Sequence, residues 1–161
     1  MVIQNKLFDS STLQKQLELW RFFGKKIVFT NGCFDLLHLG HIDYLAKAAA
    51  MGNILIVGLN TDASVSKLKG PARPINDEHS RLFVMASLFF VNAVILFDEP
   101  TPIKLIRQIE PDVLVKGGDY KVEEIVGYDV VIEKGGEIIT IPLVDGYSTT
   151  AIESKIRNSA R

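Results

Sequence analysis

Ile27-Val28-Phe29-Thr30-Asn31-Gly32-Cys33-Phe34-Asp35-Leu36-Leu37-His38-Leu39-Gly40-His41 is the stretch on which the reading of this chain turns. Ile27, Val28 and Phe29 form a short apolar run, as a strand covered on both faces requires. Thr30-Asn31-Gly32 is a turn cluster directly behind it. Ile42, Leu45, Ala46 and Ala49 then recur at helical spacing, and Gly52 is placed to close that helix as a C-terminal cap. The stretch therefore reads strand, glycine turn, paired histidines, helix. In open α/β sheets ligands bind beyond the carboxyl ends of the strands, so the first candidate site lies in this loop.

Working outward, apolar runs alternate with helical patterns. Asn53 to Leu59, Ala93 to Phe97, Asp112 to Val115 and Glu137 to Ile141 read as four further strands. Helical spacing marks Ser11 to Phe23 (Leu13, Leu17, Trp20), His79 to Phe90, and Pro102 to Ile109, the last stopped before Pro111. A final helix after the Thr149-Thr150 cap carries Ile152 and Ile156. The pattern predicts an α/β fold, a Rossmann-like and mainly parallel five-stranded sheet with helices on both faces. Nothing in the 161 residues marks a repeat, a low-complexity tract or a linker, so one domain over 1–161 is expected.

Bulk composition narrows the function classes. The net charge is -1, with 18 Lys and Arg against 19 Asp and Glu. A protein dedicated to nucleic acid would carry a basic excess, so no nucleic-acid partner is expected, although a local phosphate pocket is compatible with the balance. Cys33 is the single cysteine, which excludes an intrachain disulfide and the cysteine-rich zinc patterns. Met1 to Ser11 has no apolar signal core, and no run approaches the roughly 18 to 20 residues of a membrane span, so a cytoplasmic chain without a membrane partner is expected.

The loop chemistry points to phosphate. Gly32 and Gly40 let the backbone approach a ligand, and His38 and His41, three apart at a helix start, can face one side of the turn. The helix amino terminus adds unpaired N–H groups and about +0.5 charge. A His-x-x-His pair without further ligands is weak support for zinc, so no protein-held metal is expected. The P-loop and dinucleotide glycine patterns are both absent.

Gly32 to His41 closely resembles the signature of the cytidylyltransferase-like nucleotidyltransferases, whose mark is His-x-Gly-His. Downstream, Gly58 to Val65, Lys67-Leu68-Lys69-Gly70, Arg73-Pro74-Ile75, Leu114 to Tyr120, Gly135-Gly136-Glu137 and Gly146-Tyr147-Ser148-Thr149-Thr150 are similar to the heptose-1-phosphate adenylyltransferase branch in order and spacing. The likeness runs from about Gly24 to Arg157, and with no kinase half present it is that of the stand-alone form. One departure is His79, two positions before Arg81, where an acidic residue is common; no role is assigned to it.

The resemblance implies transfer of AMP from ATP to a sugar 1-phosphate, with Mg2+ bound mainly through the nucleotide phosphates. It implies His38, His41 and Lys69 as catalytic residues. Nucleotide contacts are expected from Thr30, Asn31, Gly32, Cys33, Phe34, Gly40, His41, Lys116, Gly117, Asp119, Tyr147, Ser148, Thr149 and Thr150. Substrate contacts are expected from Asp35, Asn60, Asp62, Arg73 and Arg81. By residue chemistry alone, Asn60 and Asp62 fit a turn or cap as well as a sugar contact, and Ser148 to Thr150 fit an N-cap as well as a phosphate. Relatives are commonly oligomeric, so a homo-oligomer (dimer or tetramer) is expected, with Phe89, Phe90 and Val91 as contact candidates. The rival readings are a cytidylyltransferase acting on glycerol 3-phosphate and a non-catalytic nucleotide sensor.

Overall fold

A computed structural model describes residues 3–159. The expected domain limits, 1 and 161, lie outside the described residues. In chain order the elements are β1 (Leu7–Phe8), α1 (Ser10–Phe22), β2 (Ile27–Gly32), α2 (Leu39–Ala49), β3 (Ile54–Asn60), α3 (Asp62–Lys69) and α4 (Glu78–Ser87). Then follow β4 (Ala93–Phe97), α5 (Ile103–Ile109), β5 (Val113–Gly117), α6 (Tyr128–Glu133), β6 (Glu137–Ile141) and α7 (Thr149–Ser159).

The sheet is Rossmann-like α/β, as expected, with six strands in the order β1-β4-β3-β2-β5-β6 and every pair parallel. The extra strand is β1, two residues long, which pairs Leu7 and Phe8 with Val94 and Ile95 at the edge. Two residues carry no readable periodicity, and the pairing exists only because β4 already offers a free edge. Asn53 lies just ahead of β3, and β5 runs two residues beyond the expected Val115, to Gly117.

Strand interiors are buried on both faces, which is why they are apolar without alternation: all seven residues of β3 are buried, as are Ile27 to Thr30 of β2. Two apolar clusters result, one on each side of the sheet. Phe29, Ile56 and Leu114 face Leu13 and Leu17 of α1 and Leu105, Ile106 and Ile109 of α5. Val28, Val57 and Val115 face Tyr44, Leu45 and Ala48 of α2 and Met85 and Ala86 of α4. Ala46, expected on the buried face of α2, is exposed; Tyr44 takes that role. Val91, expected at a subunit surface, is fully buried, whereas Phe89 is 89% exposed.

Two helices were not anticipated. α3 occupies a stretch to which no helix was assigned, started by the Thr61 side chain accepting from the Ser64 N–H. α6 is a single short run of six residues. The role of Gly52 also differs from expectation. α2 ends at Ala50, and Gly52 has no left-handed backbone; its use is close approach. A Cβ there would sit 2.6 Å from Val28 Cγ2 and 2.7 Å from the Lys26 carbonyl oxygen. That oxygen accepts from Asn53 and Ile54 N–H (2.8 and 3.1 Å), so the turn is pressed onto the start of β2. Gly52→Ala is expected to cost about 2 kcal/mol in urea unfolding, the scale of forced overpacking; a loss under about 0.5 kcal/mol would show that the turn can give way.

Candidate active site

The sheet order locates the site before any side chain is considered. From β2 the chain adds β3 and β4 on one side, then crosses to add β5 and β6 on the other. β2 and β5 are therefore the pair at which the strand order reverses, and the loops leaving them diverge to open a crevice. A cleft of about 200 Å3 lies there, lined by Asn31, Gly32, Cys33 and Phe34 from β2 and its loop, His41 and Tyr44 from α2, Lys69 from α3, Lys116 and Gly117 from β5, and Leu143. A larger hollow, about 460 Å3, lies at the β1–β4 edge between Phe8, Ile95, Phe97 and Leu105, and no histidine lines it.

α2 begins at the histidine pair. His38 is its N-cap in extended conformation, and its carbonyl accepts from His41 and Ile42 N–H. The two rings stack with centroids 3.8 Å apart and 22° between planes, and Phe34 meets His41 edge-on at 5.3 Å. Phe34 holds a left-handed backbone (φ 44°), which folds its ring back over Gly32; a Cβ on Gly32 would lie 2.8 Å from that ring. At Gly40 a Cβ would lie 3.1 Å from His38 Nδ1 and 3.5 Å from Tyr147 Cβ. The close approach this glycine permits is that of the His38 ring; Tyr147 would lie at ordinary contact distance.

Both Nδ1 atoms are buried without a hydrogen-bond partner. Such orphans are uncommon in folded proteins. Burial lowers the pKa of His38. His41 is held down at about 4, by burial first and then by His38; Lys69 adds to this and the Leu36 carbonyl pulls the other way. Lys116 is likewise pushed down by burial, and the Cys33 thiol is pushed up by it. At neutral pH the site thus presents two uncharged imidazoles flanked by two lysine side chains.

Several expected contacts belong to the framework. Thr30 is fully buried, and its hydroxyl donates to Tyr44 Oη, which donates to the Val115 carbonyl at 3.0 Å. Thr30 thus fastens α2 to β2 and β5, and no ligand reaches it. Arg81, expected at the substrate, is 3% exposed and donates to Asn76 O (3.0 Å), Cys33 O and Asn60 O (both 2.8 Å) and Asp62 Oδ1 (2.7 Å). Asp35 is 4% exposed and accepts from Arg73 Nη1 (2.7 Å) and from the N–H groups of Ile75 and Asn76 (2.9 Å). Burial opposes its ionised form, but these donors outweigh it and lower its pKa. Arg73 also grips Glu153 of α7 at 2.6 Å, and the buried Asn60 donates to Ser64 Oγ at 3.0 Å.

None of the expected residues Asp119 and Tyr147 to Thr150 is among those lining the cleft. Asp119 and Ser148 are exposed, and Ser148 Oγ accepts from the Ala151 N–H as the cap of α7. Thr149 and Thr150 open that helix beside Tyr147. Sequence reasoning missed Tyr44, Leu143 and Glu153. Tyr44 stands three residues after His41, a helical neighbour that could have been found; nothing local marks the other two.

The depressed His41 pKa has a consequence for stability. An unfolded histidine titrates near 6.5, so between about 4 and 6.5 the unfolded chain binds a proton that the folded one refuses. Stability is fully present above that window and is lost as pH falls through it. The melting temperature is expected to fall more steeply over this range in the wild type than in His41→Asn; equal slopes would contradict the burial of a neutral imidazole.

With this geometry in hand, the chain compares as follows. The model of a family described as cytidylyltransferase-like matches residues 29–155. The bifunctional protein HldE of Wolinella succinogenes is 53% identical over 156 residues, 97% of this chain, and HldE of Caulobacter vibrioides is 53% identical over 153 residues, 95% of it. This chain spans about a third (32%) of the length of each. A crystal structure titled as a lipopolysaccharide core biosynthesis protein from Thermoplasma volcanium superposes with a TM-score of 0.62 at 32% identity, covering 78% of this chain and all of that one. Pantoate-β-alanine ligase from Francisella tularensis shares the fold alone, with a TM-score of 0.56 at 18% identity over 96% of this chain and 78% of its own. A buried strand leading through paired histidines into a helix, at the reversal point of a parallel sheet, is what the matched segment contains, and the chain belongs to the cytidylyltransferase-like family.

Proposed function

We propose that this chain transfers AMP from ATP to a heptose 1-phosphate, releasing pyrophosphate. The observation that carries the chemistry is the stacked His38–His41 pair, of which His41 lines a cleft with Lys69 and Lys116. The long identity with HldE proteins supports the sugar.

The acceptor brings its own nucleophile, an already ionised phosphate oxygen. It forms a bond to the α-phosphorus as the bond from that phosphorus to the bridging oxygen breaks, and the electron pair leaves with pyrophosphate. No protein nucleophile is required, and Cys33, held protonated by burial, is poorly suited to be one. Catalysis is then positioning and charge neutralisation. His38 and His41 donate to the triphosphate, the free N–H groups at the start of α2 favour its charge, and Lys69 and Lys116 neutralise it. Asn31, Gly32, Cys33, Gly40, Gly117, Asp119 and Tyr147 to Thr150 surround the nucleotide.

A divalent cation fits this site as a passenger of the nucleotide. No group of three or more potential metal-holding side chains occurs among the described residues. The nearby carboxylates of Asp35 and Asp62 are already held by arginines. Mg2+, which keeps several waters and binds phosphates readily, would neutralise the triphosphate without a protein cage. No helix among the described residues is long and apolar enough to cross a membrane. Action in the cytoplasm, as a homo-oligomer, belongs to the same proposal.

Pyrophosphate release with magnesium is expected for ATP with D-glycero-β-D-manno-heptose 1-phosphate, with kcat lowered about 10²- to 10³-fold in His41→Ala. Turnover with CTP and glycerol 3-phosphate instead would keep the mechanism and overturn the substrate. Nucleotide binding without turnover of any pair would favour a sensor.

A further inference from the structure

The groups expected to hold the acceptor are engaged within the protein. Arg81 and Asn60 are buried and hydrogen-bonded, Asp35 is saturated by three donors, Arg73 is shared between Asp35 and Glu153, and Asp62 is paired with Arg81. A second cleft, of about 240 Å3, adjoins the first. The two share Asn31 and Lys116, the residues at the carboxyl ends of β2 and β5. They open over opposite faces of the sheet, since Tyr44 in the first belongs to the cluster under α2 and α4, whereas Leu114 and Ile125 in the second belong to the cluster under α1 and α5.

We propose that this second cleft, floored by Leu114 and Ile125 and rimmed by Tyr120 and Glu124, is the pocket for the sugar of the phosphorylated acceptor, with Asn31 and Lys116 at the doorway between the two substrates. The inference rests on the transferase reading above and adds where the acceptor sits. In-line displacement demands that the attacking oxygen approach opposite the departing pyrophosphate. With the triphosphate drawn to His38, His41 and Lys69, the acceptor must arrive from across the end of β2, which is where this cleft lies. Lys116 has no hydrogen-bond or ion-pair partner among the described residues, and it stands where two phosphates must meet. Burial lowers its pKa, and two approaching phosphates would hold it charged.

The lining suits a polyol. Leu114 (1% exposed) and Ile125 (7%) offer an apolar floor for the C–H face of a ring. Tyr120, 54% exposed, offers an aromatic face and a hydroxyl. Glu124 is tied only to Lys121, at 3.7 Å and in solvent, so its carboxylate is free to accept from sugar hydroxyls. The volume is below the roughly 300–1,000 Å3 of pockets that enclose drug-sized ligands, the scale of one sugar ring rather than a nucleoside.

The test uses the full chain and three variants, Tyr120→Ala, Glu124→Gln and Val126→Trp, the last placing bulk from the half-exposed wall into the cleft. Each is expected to raise KM for heptose 1-phosphate at least tenfold while KM for ATP and the melting temperature stay close to wild type. Acceptor KM within twofold of wild type in all three overturns the pocket. A rise in KM for ATP equal to that for the sugar phosphate also overturns it, by assigning the cleft to the nucleotide. If the wild type turns over no pair of substrates, the transferase reading fails, and amide chemical shifts decide the pocket separately. Shifts at Asn31, Leu114 and residues 116–126 on adding heptose 1-phosphate alone support it, and unmoved amides there overturn it.

Discussion

A single buried guanidinium holds the working end of the sheet together. Arg81 projects from α4 and binds backbone carbonyls from three separate segments: Cys33 in the loop after β2, Asn60 at the end of β3, and Asn76 before its own helix. Asp62 takes the remaining charge at 2.7 Å. Loops after parallel strands have no sheet partner at this end, so their carbonyls must find donors elsewhere. An arginine supplies several donors in one rigid plane, a geometry a lysine cannot reproduce. Asp35 mirrors this from the opposite sign, gathering Arg73 and the N–H groups of Ile75 and Asn76. Through Arg73 it also reaches Glu153 on α7. The histidine loop, the α3–α4 connection and the last helix are thereby one body.

On that frame rests a site of unusual polarity. The loop packs two imidazoles face to face and leaves a ring nitrogen of each without a partner. Buried polar atoms normally pair, which sets these two apart. In the proposed reaction the charge of bound phosphates would oppose the burial that keeps His41 neutral, and a proton gained by the ring would make its Nδ1 a donor. Lys69 and Lys116 come from different elements, α3 and β5, and line the same cleft. Preorganisation of this kind needs a stiff scaffold, which the fully buried central strands supply.

Much of this was legible in the residues. The strands of the parallel core announce themselves because burial on both faces forbids polar alternation, and the Gly32 to His41 stretch carries its own geometry in its glycines and histidines. What escaped notice was set by tertiary context. β1 is too short to have a period, and α3 starts from a threonine cap inside a run to which no helix was assigned. Gly52 was read as a helix stop because that is the common use of glycine after a helix; only the packed structure reveals the Lys26 carbonyl against it. Charged residues near the site were the hardest to place. Arg81, Asp35, Lys69 and Lys116 look alike as letters, yet the first two are spent on the frame and the last two face the cleft. Burial divides them, and it depends on partners distant in the chain, such as Cys33, 48 positions from Arg81, and Asn76, 41 positions from Asp35.

In the proposed reaction the protein supplies position and charge while the acceptor phosphate attacks the α-phosphorus directly. The most direct measurement is the stereochemical course of the transfer, using ATP made chiral at the α-phosphorus by sulfur substitution and assigning the product by 31P NMR. Inversion is predicted, because one in-line displacement reverses the configuration. Retention would require two displacements through a covalent enzyme intermediate, and would contradict the account.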